Sequence, residues 1–81
     1  MKVTVKLFAS FREAAGTAQS SVEIAPDTTI AQLWGELVEA HPRLRPLSGS
    51  AAFALNGRYT PGDTALGDGD VVAFLPPVSG G

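Results

Sequence analysis

Val3, Val5 and Leu7 alternate with Lys2, Thr4 and Lys6. This period of two predicts a strand with one buried face. At Ser10 the pattern changes. Ser10-Phe11-Arg12-Glu13 fits a capping box, with Ser10 as N-cap and Glu13 reaching back. Ala14 and Ala15 extend the turn, and Gly16 is suited to end it in a left-handed conformation. Residues 20–25 alternate again, with Val22 and Ile24 inward. They predict a second strand, antiparallel to the first. Pro26-Asp27-Thr28 reads as a turn. Thr29 and Gln32 fit a second capping box. Ile30, Leu33, Trp34, Leu37 and Val38 then share one helical stripe, while Gln32, Glu36 and Glu39 face water. Gly35 costs such a helix about 1 kcal/mol relative to Ala and is expected to mark a close contact. Pro42 stops the helix near His41, which reads as a helix-terminal residue rather than a ligand.

Residues 43–50 carry Pro46 and Ser48-Gly49-Ser50 and read as loop. Residues 51–55 predict a third strand. Asn56-Gly57 is a hairpin-turn signal, and Arg58-Tyr59-Thr60 a short return strand. Pro61-Gly62-Asp63 makes another turn, and Thr64–Leu66 reads as one helical turn. Asp68-Gly69-Asp70 is a turn rather than a pair of catalytic acids, which would need a substrate pocket. Val71–Leu75 is apolar on both faces, as a central strand would be. The implied architecture is α+β. One main helix covers one face of a small mixed sheet of about five strands, with the first and last strands parallel at its centre. That is the ubiquitin-like β-grasp. The domain is expected to span residues 1–75, with residues 76–81 as a flexible tail.

A length of 81 residues holds one domain. The net charge of −2, with no cationic run, argues against nucleic-acid binding. The absence of cysteine excludes disulfides, thiolate metal sites, iron–sulfur ligation and thiol catalysis. Any sulfur chemistry must use sulfur supplied from elsewhere. Met1–Leu7 lacks the unbroken apolar run of a signal peptide, and no apolar run is long enough for a membrane span. A cytoplasmic protein is expected, with no bound cofactor, no metal and no membrane contact.

The candidate chemistry lies in Pro76-Pro77-Val78-Ser79-Gly80-Gly81. Two prolines favour an extended, stiff stem. Glycine adds the least bulk a peptide can add. Fully extended, six residues reach roughly 20 Å, enough to carry the Gly81 carboxylate into another enzyme's channel.

Three blocks carry a family resemblance. Phe8-Ala9-Ser10-Phe11-Arg12-Glu13-Ala14-Ala15-Gly16 resembles the F-A-x-x-R-E-x-x-G stretch after the first strand of the molybdopterin synthase small-subunit (MoaD) family. Asn56-Gly57 resembles that family's hairpin. The segment from Leu66 to Gly81 is similar to its ending, L-x-D-G-D-x-V-A-x-x-P-P-V-x-G-G. Residues 17–55 match in pattern only. Tyr59 departs from the aliphatic residue expected at a partner surface, although its ring still supplies apolar area.

The resemblance implies a sulfur carrier. On that resemblance it would be a non-catalytic donor subunit whose own part in the chemistry is the Gly81 carboxylate, presented by Gly80, Ser79 and Val78. A ubiquitin-activating-type enzyme would adenylate Gly81 with ATP, and a sulfur donor would convert it to a thiocarboxylate. The tail would then enter the large subunit of molybdopterin synthase, in a heterotetramer, and pass sulfur to a cyclic pterin monophosphate. Pro76, Pro77, Leu75, Phe74, Tyr59, Phe8 and Arg12 are the expected partner contacts. Phe74 and Leu75 point to opposite faces of their strand, so one of them is core. Arg12 is a candidate to pair with an acid on the activating enzyme. Other readings share the fold and the Gly-Gly: a sulfur carrier for thiamine or tRNA thiolation, or a ubiquitin-like modifier joined to lysines.

Overall fold

The two central strands come from opposite ends of the chain. The computed structural model describes residues 1–77. Its elements are β1 (Lys2–Leu7), α1 (Ala9–Ala15), β2 (Gln19–Glu23), α2 (Ile30–Ala40), a 3₁₀ segment (Pro42–Ser50), β3 (Ala52–Leu55), β4 (Arg58–Tyr59) and β5 (Val71–Leu75). They form one five-stranded sheet in the order β2-β1-β5-β3-β4. β1 and β5 run parallel, with Val5 opposite Val72 and Leu7 opposite Phe74. The other neighbours are antiparallel. This is the β-grasp order that the patterning implies, and β5 is central as its apolar run suggests. Among the described residues, no helix is long and apolar enough to cross a membrane.

The inner face of the sheet buries Val3, Val5, Leu7, Val72 and Phe74 against Ile30, Leu33, Trp34 and Leu37 of α2. Thr29 caps α2 as expected. Its hydroxyl accepts from the Gln32 N–H at 3.1 Å, and its own N–H donates to Gln32 Oε1 at 2.9 Å. Trp34 sits at the centre of an aromatic cluster. Its ring centroid lies 4.8 Å from that of Phe74 and 4.9 Å from that of Phe11, and Phe53 packs edge-on against Phe74 at 5.5 Å.

Several local expectations are corrected. The N-cap of α1 is Phe8, not Ser10, and no side chain caps it. β1 stays paired through Leu7, so the chain must turn at once. Ala9 does this with a φ of 50°, a left-handed conformation that costs a non-glycine residue about 1–2 kcal/mol. Gly16 closes α1 as expected, at φ 76° with its N–H donating to the Arg12 carbonyl. Residues 43–50 are not an open loop but belong to the 3₁₀ segment. Long-range contacts hold that segment. Leu44 is fully buried, and the Trp34 indole N–H donates to the Ser48 carbonyl at 3.3 Å. Thr64–Leu66 is extended, because Ala65 bridges antiparallel to Thr29 and the Leu66 N–H donates to the Thr28 carbonyl. Asn56 and Gly57 both have positive φ, as the hairpin requires.

The Asp68-Gly69-Asp70 turn is a structural fastening. Asp68 Oδ1 accepts from the Lys2 N–H at 2.8 Å. Asp70 accepts from the Gly67 N–H on one oxygen and from Asn56 Nδ2 on the other. Both carboxylates thereby hold strand ends.

Two glycines exchange the roles the sequence suggests. A Cβ at Gly35 would meet nothing within 4 Å, whereas one at Gly62 would lie 2.8 Å from the Phe53 ring and 3.2 Å from Ala31 Cβ. Gly35 therefore marks no close contact. Gly35→Ala is expected to raise stability by about 1 kcal/mol, the helix-propensity difference. Gly62→Ala is expected to lower it by about 1–3 kcal/mol through overpacking. Urea unfolding of the two variants checks both signs.

Candidate docking and transfer site

The site is built on the end of β5, because that strand delivers the tail. Antiparallel pairing sets Phe74 opposite Phe53, on the inner face. Phe74 has no exposed surface. It is a core residue and not a partner contact, which corrects its place among the expected docking residues. Leu75 pairs with Ala52 and points to the other face of the sheet. It is half-buried.

Register assembles the rest of the outer face. Ala73 and Ala54 are paired, and Ala54 is paired in turn with Tyr59. Tyr59 thus shares the face of Leu75 and is 79% exposed. Phe8 follows Leu7 in extended conformation. The alternation of β1 turns it outward beside Leu75, and it is 43% exposed. The structure therefore brings Leu75, Tyr59 and Phe8 to one face, which also carries Ala52, Ala54, Ala73 and Lys6. Exposed apolar side chains gathered this way mark an interaction surface. Arg12 is exposed on α1 rather than on this face, and it makes no ion pair among the described residues.

Pro76 and Pro77 leave the sheet on its helical side. They form one wall of a groove of about 370 Å³ whose other walls are Ser10 and Phe11 of α1 and Pro46, Leu47 and Ser50 of the 3₁₀ segment. Leu47 is 38% exposed there. Sequence reasoning missed this groove by treating residues 43–50 as loop. The available signal was Pro42 at a helix start followed by Leu44 and Leu47, three residues apart. That is the spacing at which side chains stack on a 3₁₀ turn. Val78, Ser79, Gly80 and Gly81, the expected transfer residues, lie outside the described residues.

Residues 5–81 match the model of the ThiS family. Across its full length the chain is 40% identical to the molybdopterin synthase sulfur carrier subunit of Chlamydomonas reinhardtii, which is likewise covered completely. Among solved structures, SAMP1 from Haloferax volcanii superposes with a TM-score of 0.86 at 31% identity, with both chains fully covered. A chain in the complex of subunits 1 and 2 of the molybdopterin-converting factor from Helicobacter pylori superposes with a TM-score of 0.71 at 28% identity, again over the whole of both chains. These matches place the chain: it belongs to the ThiS family, alongside the molybdopterin synthase sulfur carrier subunits it matches from end to end.

Proposed function

We propose that the chain carries sulfur as a thiocarboxylate on Gly81 and delivers it within molybdopterin synthase. The observation that carries this reading is the end-to-end match to sulfur carrier subunits, joined to a fold whose central strand runs straight into Pro76-Pro77 and the Gly-Gly tail. A carboxylate is a poor acyl donor. An adenylating enzyme uses ATP to convert it to the acyl adenylate, releasing pyrophosphate. A donor delivering sulfur at the oxidation level of sulfide then displaces AMP and leaves the thiocarboxylate. In the large subunit, the sulfur displaces an oxygen substituent from the pterin side-chain carbon to give a thioester, and water then cleaves the acyl carbon–sulfur bond, leaving sulfur on the pterin and restoring the Gly81 carboxylate. Two such transfers supply both sulfurs of a dithiolene. The carrier contributes reach and an unhindered terminus, while acid–base chemistry falls to the partners. The complex of subunits 1 and 2 from Helicobacter pylori supports a large-subunit partner.

A second reading has its own support, since the chain also matches the small archaeal modifier protein 1 of Haloferax volcanii at 34% identity. In that reading the Gly81 acyl group is joined to a lysine amine of another protein. Intact mass spectrometry separates the two. The chain is incubated with its adenylating enzyme, ATP and a sulfur donor. A mass gain equal to one sulfur replacing one oxygen is the expected result. An unchanged mass beside an active enzyme overturns the carrier reading, and isopeptide conjugates in cell extract would establish the modifier.

A further inference from the structure

We propose that the groove between α1 and the 3₁₀ segment is the second half of the docking surface for the large subunit, seating an apolar side chain of that subunit against Pro46 and Leu47. The inference rests on the proposed function. Its starting point is a length. Gly81 is the fourth residue after Pro77, and four residues fully extended span at most about 14 Å. An enzyme that encloses the Gly81 acyl carbon must therefore come down against the surface around Pro77. That surface has two sides. Leu75 faces the outer sheet side, and Pro76 and Pro77 face the groove. The tail thus leaves the domain between two apolar surfaces.

The outer face alone is a thin anchor for a stable complex. Apart from Leu75, Tyr59 and Phe8, it carries Ala52, Ala54, Ala73 and Val71, with Thr4 and Lys6 of β1 paired beside them. A standard stable interface takes about 800 Å² from each partner, roughly a sixth of the 4834 Å² surface of this chain. Leu47 is one of three large apolar residues exposed among the described residues, and it lies across the groove from the tail stem. Pro76 and Pro77, which line that groove, directly follow Leu75 of the outer face. Ser10 and Ser50 line the same groove and give it hydroxyl partners for a backbone entering alongside. The large subunit is the occupant because subunits 1 and 2 of the Helicobacter pylori molybdopterin-converting factor form a protein–protein complex.

The test uses the full chain and the purified large subunit. Leu47→Asp places a charge in the groove, and Ser50→Arg fills it from an exposed position. Calorimetric titration is expected to show each variant binding the large subunit about tenfold or more weakly. Thiocarboxylation by the adenylating enzyme should stay within about twofold of wild type, the range of a surface substitution. Unchanged Trp34 fluorescence melts show that both variants fold. Wild-type affinity in both variants overturns the inference. So does retained affinity with lost thiocarboxylation, which assigns the groove to the activating enzyme. A wild-type chain that fails to bind the large subunit at all overturns the functional reading itself, so the two failures are distinct.

Discussion

Deletion of Gly81 is expected to abolish sulfur transfer and to leave the melting temperature where it is. The two halves of this expectation have separate causes. Every buried apolar side chain among the described residues lies between Val3 and Phe74. Loss of a residue well past that core should change stability by less than about 0.5 kcal/mol. The chemistry is far less tolerant. Without Gly81 the acyl carbon falls back by one residue, about 3.4 Å along an extended chain. A displacement of even 1 Å costs a well-aligned reaction about 10²-fold. Transfer should therefore drop by more than about 10²-fold in a single-turnover assay with the large subunit. A variant that still delivers sulfur would sink the assignment of Gly81 as the transfer residue. A variant that melts early would show that the tail contributes to the fold.

Phe74→Ala should produce the reverse outcome. Phe74 is fully buried between Trp34 and Phe53. Truncation of such a residue costs about 3–5 kcal/mol, part of it for the cavity left behind. A domain of 81 residues has a total stability on the order of 4–12 kcal/mol. The variant should be partly unfolded at moderate temperature, with the loss read from Trp34 emission and from urea titration. Leu75→Ser, one position along, should cost only about 1 kcal/mol, because Leu75 is half-buried on the outer face. Its main effect should be weaker binding of the large subunit. Two adjacent apolar residues thus separate folding from docking. A Phe74→Ala protein as stable as wild type would contradict the packing described for the core.

Why some of this was readable in the residues and some was not follows from the range of each interaction. β1 and β2 announce themselves by alternation and β5 by its unbroken apolar run, and both signals are properties of neighbours along the chain. The Thr29 cap and the Asn56-Gly57 turn are equally local. Thr64–Leu66 was misread because what extends it is a bridge to Thr29, far away in sequence. The 3₁₀ segment was misread because two prolines and a glycine look like loop, while its anchors are the buried Leu44 and the Trp34 indole. Ser10 looked like a cap because Glu13 follows at the right spacing. The pairing of Leu7 with Phe74 forces the helix to begin earlier. The same pairing decides between Phe74 and Leu75, a choice that periodicity leaves open. The groove was invisible for the same reason, since its walls come from three separate parts of the chain.

The parallel pairing of β1 with β5 also governs how the protein is made. Residues 8–70 separate the two strands, so at ordinary synthesis rates about 3–13 s pass between the appearance of one and of the other. During that interval β2 covers one edge of β1, but the other edge has no partner. The sheet closes only once its central strand β5 is available to pair with β1. Folding should then proceed in milliseconds rather than microseconds, because its decisive contacts are non-local. An unpaired edge on a newly made β1 is a site for unwanted strand pairing, and Lys2 and Lys6 on that strand act as its gatekeepers.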